Sequence, residues 1–155
     1  MSTMTEGAGE APAARRVDQL LAHYGESHRN PRNGAIHCVA IPLIMVSLVG
    51  LMYWLHPWVA YGFLAASMVY YARIGSWVFF ATMAVVSLLA LVIVQSLGSL
   101  LLPVSVAVFV LAWIAQFVGH KIEGKKPSFF EDLQYLWVGP LFVLAKLFVR
   151  LGVRW

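Results

Sequence analysis

Between residues 35 and 119 the chain runs through four apolar segments, and Arg73 is the only Lys, Arg, Asp or Glu among them. A helix that crosses the hydrocarbon core of a bilayer needs roughly 20 predominantly apolar residues. In lipid every backbone polar group has to be satisfied within the structure, so helices are the natural form for runs of this length. The whole chain is 61% hydrophobic and 12% charged, whereas soluble domains are about half apolar and a quarter charged. The expected fold is therefore an all-α integral membrane bundle with four transmembrane helices.

The runs are predicted at Ala35–Leu55, Trp58–Ala72, Trp77–Leu97 and Leu100–Gly119. The start of the first is well marked. Asn30 suits an N-cap and Pro31 the first helical position, which places Asn33 and His37 four apart on one face. Pro42 falls inside this run, where neighbouring helices can repair the lost backbone hydrogen bond. His56-Pro57, Arg73–Ser76 and Gly98-Ser99 are the turns. Tyrosines and tryptophans at the ends of the second run suit an interfacial belt.

Before the runs, residues 1–14 are small, polar and expected to be disordered, and they lack the apolar core of a secretory signal peptide. Residues 15–155 form a single domain. It begins with a short helix over Arg15–Tyr24, whose Val17, Leu20, Leu21 and Tyr24 recur at helical spacing. That helix either lies on the membrane surface or packs on the bundle loops. After a polar connection over 120–134, the stretch Tyr135–Val153 is apolar but carries Pro140, Lys146 and Arg150. It is read as an amphipathic or re-entrant helix rather than a fifth crossing.

Basic residues alternate between the connections. Arg15, Arg16, Arg29 and Arg32 precede the first run, Arg73 follows the second, and Lys121, Lys125 and Lys126 follow the fourth. This alternation implies a cytoplasmic N-terminus. The lysines after the fourth run are read as topological, ahead of a role in steering an anionic substrate. The net charge of +4 is explained by lipid headgroups and topology, with no nucleic-acid partner. Gly62, Ala65, Ala66 and Ser67 permit close helix contact, within the bundle or in a homo-oligomer.

An even number of crossings returns the chain to the side where it began. His28 and His37 at the entrance to the first run, and His120 at the exit of the fourth, therefore share one membrane face. His56 lies roughly 30 Å away at the other face. Imidazole is the commonest protein metal ligand, so His28, His37 and His120 are the candidate ligands. Glu123, three residues after His120, is a candidate fourth, since both project from one helix face if the helix continues. Asn33, Gln116 and His23 are candidate outer partners that orient ligands; His23 also stands as a possible fourth imidazole. Cys38, the one cysteine, precludes an intrachain disulfide and is read as a small buried hydrophobe. Such a ligand set suits Fe(II) or Zn(II).

Two motifs carry a resemblance. One is Tyr24-(x3)-His28-x-Asn30-Pro31-x-Asn33-(x2)-Ile36-His37. The other is Trp113-(x2)-Gln116-Phe117-x-Gly119-His120-(x2)-Glu123-(x3)-Pro127. Together they resemble the family of the yeast endoplasmic-reticulum 2-hydroxy-fatty-acid dioxygenase, over about residues 20–150. The resemblance implies an Fe(II)-dependent oxidoreductase of fatty-acid α-oxidation. It would convert a long-chain 2-hydroxy fatty acid and O2 to the fatty acid one carbon shorter, without 2-oxoglutarate. It implies that His28, His37 and His120 are the iron ligands, with Glu123 and Gln116 as further ligands or their supports. The setting would be a bacterial inner membrane, or the endoplasmic reticulum of a eukaryote, with membrane lipids around the bundle. The residues alone leave other readings open: a metal-free scaffold or lipid-binding bundle with structural histidines, a haem protein, or a di-iron lipid enzyme. The last needs more histidines than the five present.

Overall fold

The computed structural model describes residues 14–124 and 135–155. The expected disordered tail, apart from Ala14, and Lys125, Lys126 and Pro127 lie outside the described residues. Among those described, every regular element is helical: α1 (Arg16–Gly25), α2 (Pro31–Leu55), α3 (Pro57–Ala72), α4 (Trp77–Ser96), α5 (Leu101–Glu123) and α6 (Val138–Leu151), with a short 3-10 turn at Gly98–Leu100 before α5. Helices α2, α4 and α5, the last together with its preceding turn, are long and apolar enough to cross a membrane. Helix α3 has 16 residues and α6 has 14, or ~24 Å and ~21 Å at a rise of about 1.5 Å per residue.

The boundaries follow local chemistry. The Asn30 side chain accepts a hydrogen bond from Arg32 N at 2.9 Å, so α2 begins at Pro31, one turn earlier than hydropathy alone indicates. His56 both ends α2 and caps α3, its Nδ1 accepting from Trp58 N at 3.3 Å. Ser76 caps α4, accepting from Phe79 N. Helix α5 runs beyond Gly119 through His120 to Glu123, and stops at Gly124 with φ +77°, a conformation that costs glycine nothing.

Side-chain clusters show that successive long helices run in opposite directions. At one end of the bundle Val49, Ala60, Val94 and Leu101 meet, from late α2, early α3, late α4 and early α5. At the other end Tyr71 of late α3 and Phe79 and Met83 of early α4 pack together with Val17, Leu141 and Phe148. Helix α5 lies antiparallel along α2, and glycines make the close approach possible. A Cβ on Gly50 would collide with Ser105 Oγ, and one on Gly119 would come within 2.5 Å of Asn33 Oδ1. Small residues at such crossings let helices pack where lipid offers no hydrophobic drive to associate.

Helix α1 packs on the bundle rim rather than lying free of it. Val17 is fully buried and its N–H donates to Ile74 O at 3.1 Å, and Tyr24 joins Ile41, Val138 and Phe142. Helix α6 covers the same rim. At its start Trp137 Nε1 donates to Ser67 Oγ at 2.9 Å, and Tyr71 OH donates to Trp137 O at 3.1 Å. Ser67 thus works inside the bundle, while Gly62, Ala65 and Ala66 face outward. Exposed Val39, Leu88, Leu89, Val92 and Leu111 clothe the outside in hydrocarbon, and exposed Trp58 and Trp77 mark opposite ends.

Candidate metal centre

The rim with α1 and α6 is where the three histidines converge. His37 stands on α2, fully buried, and its Nδ1–H donates to Asn33 O at 2.9 Å. His28 lies in the α1–α2 loop. Its Nδ1–H donates to Tyr24 O at 2.8 Å, and its ring stacks on Tyr24 with centroids 4.2 Å apart. His120 comes from the last turns of α5 and is also buried. Ring centroids are separated by 4.3 Å (His28–His37), 5.1 Å (His37–His120) and 5.8 Å (His28–His120). One ring nitrogen from each lies within 4.8 Å of the others.

Carbonyl acceptors at Nδ1 of His28 and His37 place the proton on that nitrogen and leave the lone pair on Nε2. Three imidazoles, buried together and from three chain segments, form a neutral nitrogen donor set suited to Fe(II) or Zn(II). Three such donors would leave coordination positions open on a bound ion. The donor chemistry of the site therefore fits a divalent transition metal.

Glu123 sits on the same last turn of α5 as His120, but its carboxylate is not among the converging donor atoms. Its oxygens accept from Arg29 N at 2.9 Å, from Asn30 N at 3.0 and 3.1 Å, and from Asn33 Nδ2 at 2.9 Å. Arg29 and Asn30 directly follow His28, so this carboxylate ties the His28 loop and the start of α2 to the end of α5. Asn33 is fully buried and serves twice, its carbonyl under His37 and its amide on Glu123. Gly119 brings α5 close enough for both contacts, since a Cβ there would also meet His37 Cε1 at 3.3 Å.

Gln116 is buried one turn before His120, and its Oε1 has no hydrogen-bond partner among the described residues. With Tyr24, Ile41, Trp113 and Tyr135 it lines a cavity of about 30 Å³, large enough for about two waters. His23 is elsewhere: its Nε2 hydrogen-bonds Tyr135 OH at 2.8 Å and its side chain is exposed. His56 caps α3 at the opposite end. Cys38 is half-buried and stands outside the cluster. Lys121 is exposed at the end of α5.

Sequence reasoning gave no role to Phe142, whose ring lies 5.4 Å from that of His28. Nor did it foresee Glu123 as an acceptor for the loop N–H groups. For Glu123 the available signal was the Asn30-Pro31 helix start, which leaves backbone donors in need of an acceptor.

The family model described as 2-hydroxy-palmitic acid dioxygenase Mpo1-like matches residues 14–151. The chain belongs to this Mpo1-like family. It is 25% identical over 138 residues to a protein of Saccharomyces cerevisiae named 2-hydroxy-palmitic acid dioxygenase MPO1, covering 85% of this chain and 79% of that protein. No solved structure matches the chain. Membership carries the oxidoreductase class, and the dioxygenase name of the relative is in keeping with the three-histidine cluster.

Proposed function

We propose that this protein is an Fe(II)-dependent dioxygenase of fatty-acid α-oxidation, shortening long-chain 2-hydroxy fatty acids by one carbon. The observation that carries the reading is the convergence of His28, His37 and His120, buried and with ring nitrogens within 4.8 Å, in a chain of this family. The reaction balances without a co-reductant. A 2-hydroxy acid and O2 give the acid one carbon shorter, CO2 and water, so the substrate itself supplies all four electrons that O2 takes up.

His28, His37 and His120 would hold the iron. Bound iron supplies the one-electron chemistry that lets O2 react with a closed-shell substrate. The protein does the rest. Nδ1 contacts to Tyr24 O and Asn33 O hold two imidazoles in the metal-binding tautomer. Glu123 and Asn33 fix the loop and the helix start that carry them. Gln116 orients the substrate's polar head from the wall of the small cavity, where its buried Oε1 accepts a hydrogen bond from the substrate's 2-hydroxyl. Tyr24, Trp113 and Phe142 exclude bulk water.

In the same reading α2 to α5 make four crossings, with the shorter α3 spanning by local thinning of the bilayer. Helix α6 remains at the rim. The N-terminus is cytoplasmic and the membrane is a bacterial inner membrane, residues 15–155 acting as one domain. The test is turnover. Detergent-purified protein with Fe(II), O2 and 2-hydroxyhexadecanoic acid should yield the 15-carbon acid by mass spectrometry, and lose it on chelation or in His120→Ala. Stoichiometric iron with no product would refute the assigned reaction. Failure to bind metal at all would leave a scaffold or lipid-binding bundle.

A further inference from the structure

Inside the bundle, below the histidines, is a second cavity of about 190 Å³. Close-packed interiors hold few voids larger than a water molecule, so one of this size calls for an occupant. Its walls are Ile41, Met45, Val49, Met83, Ala90 and Leu144, among others, and Ser87 is the one polar side chain lining it among the described residues. A cavity of this chemistry stays dry and takes apolar guests; about 150 Å³ suffices for a benzene ring.

Its position relates it to the metal centre. Ile41 and Met45 stand one and two turns beyond His37 on α2 and line both this cavity and the small one that holds Gln116. On α6, Gly139 lines the small cavity and Pro140 the large one. The two spaces therefore back onto each other across the same side chains. The lower end is closed by Val49 and Ala90, beneath which Ala60, Val94 and Leu101 pack. The side is not closed: Pro42 and Val86, both exposed, also line the cavity, so it opens between α2 and α4 towards the lipid. From His37 to Val49 is ~18 Å along α2 at about 1.5 Å per residue, close to the ~15 Å that one leaflet's chains occupy.

We propose that this cavity binds the hydrocarbon chain of the substrate. It holds the part next to the polar head, and the Pro42–Val86 opening lets the distal part run out into the bilayer. The proposal builds on the dioxygenase reading, and it makes Ile41 and Met45 the residues that pass the chain from the histidine rim into the bundle. Because the distal chain lies in lipid, acids longer than the cavity are accepted alike.

The test uses the full chain in nanodiscs and two photoreactive 2-hydroxyhexadecanoic acids, one with a diazirine near the carboxyl end and one near the methyl end. The first should label Met45, Met83 or Leu144, and excess 2-hydroxyhexadecanoic acid should compete. The second should label bilayer lipid and the outward faces of α2 and α4. Ala90→Phe and, separately, Ser87→Leu fill the cavity without touching the metal centre. Each should cut competable labelling and kcat/KM at least tenfold with metal content unchanged. Labelling by the first probe confined to outward-facing residues such as Val39 would overturn the proposal. So would cavity-filling variants with unchanged labelling. Competable labelling of the cavity without turnover would uphold the chain site and sink the dioxygenase reading. Turnover with labelling elsewhere would do the reverse. If both variants fail to fold, the wild-type labelling map decides.

Discussion

Replacing Glu123 with Gln separates a positioning role from a ligand role. In the native protein the carboxylate accepts from Arg29 N, Asn30 N and Asn33 Nδ2, all between 2.9 and 3.1 Å. Glutamine keeps one oxygen acceptor and turns an NH2 donor towards donors. At least one charge-assisted bond is lost, and Asn33 Nδ2 or a loop N–H is left facing a donor. A hydrogen bond to a charged group contributes about 1.5–3 kcal/mol, and every 1.4 kcal/mol is about tenfold in an equilibrium constant. If the loosened His28 loop passes this loss to the metal site, the metal Kd should rise about 10- to 100-fold, as for other partners that orient ligands. The assay is competition against a chelator of known affinity, with circular dichroism to confirm the helices. A wild-type Kd in Glu123→Gln would refute the positioning argument. Loss of all metal, as severe as in His37→Ala, would refute it in the other direction and make Glu123 a ligand.

Three further outcomes are expected. Gly119→Ala puts a methyl group against Asn33 Oδ1 and His37; overpacking of this kind costs about 1–3 kcal/mol, so the melting temperature in detergent should fall together with metal content. His56→Ala removes the α3 cap at a cost of about 0.5–2 kcal/mol. It should lower thermal stability while leaving metal content untouched, because it acts at the far end of the bundle. Trp137→Phe strands Ser67 Oγ, which still donates to Phe63 O, by removing its indole donor; the expected loss is about 1 kcal/mol, read as a shifted unfolding midpoint.

The histidine rim was legible because topology does not depend on fine detail. Alternating apolar runs force His28, His37 and His120 to one end whatever the helix rotations are, and His56 to the other. The Asn30 cap was equally legible, since Asn30-Pro31 acts through backbone neighbours one or two residues away; His56-Pro57 read only as a turn, and its capping of α3 came from the structure. The choice between the two fates of α1 was not legible. It turns on Val17 N–H reaching Ile74 O and on Tyr24 reaching Ile41, Val138 and Phe142, contacts between segments whose spacing in sequence carries no signal. The same holds for α6, whose moderate polarity suits several depths until Trp137 finds Ser67.

What the sequence determined by itself is therefore the solvent, the helix count within the described residues and the end of the bundle at which chemistry is possible, because burial in lipid and chain direction are properties of whole segments. Tertiary structure decided which nitrogen of His28 and His37 bears the proton, that Glu123 faces the loop donors, and that an apolar cavity lies one to two turns beyond His37 along α2, lined by Ile41 and Met45. Those depend on helix rotation and on approach distances such as that at Gly119, which only the packed assembly of all the helices sets.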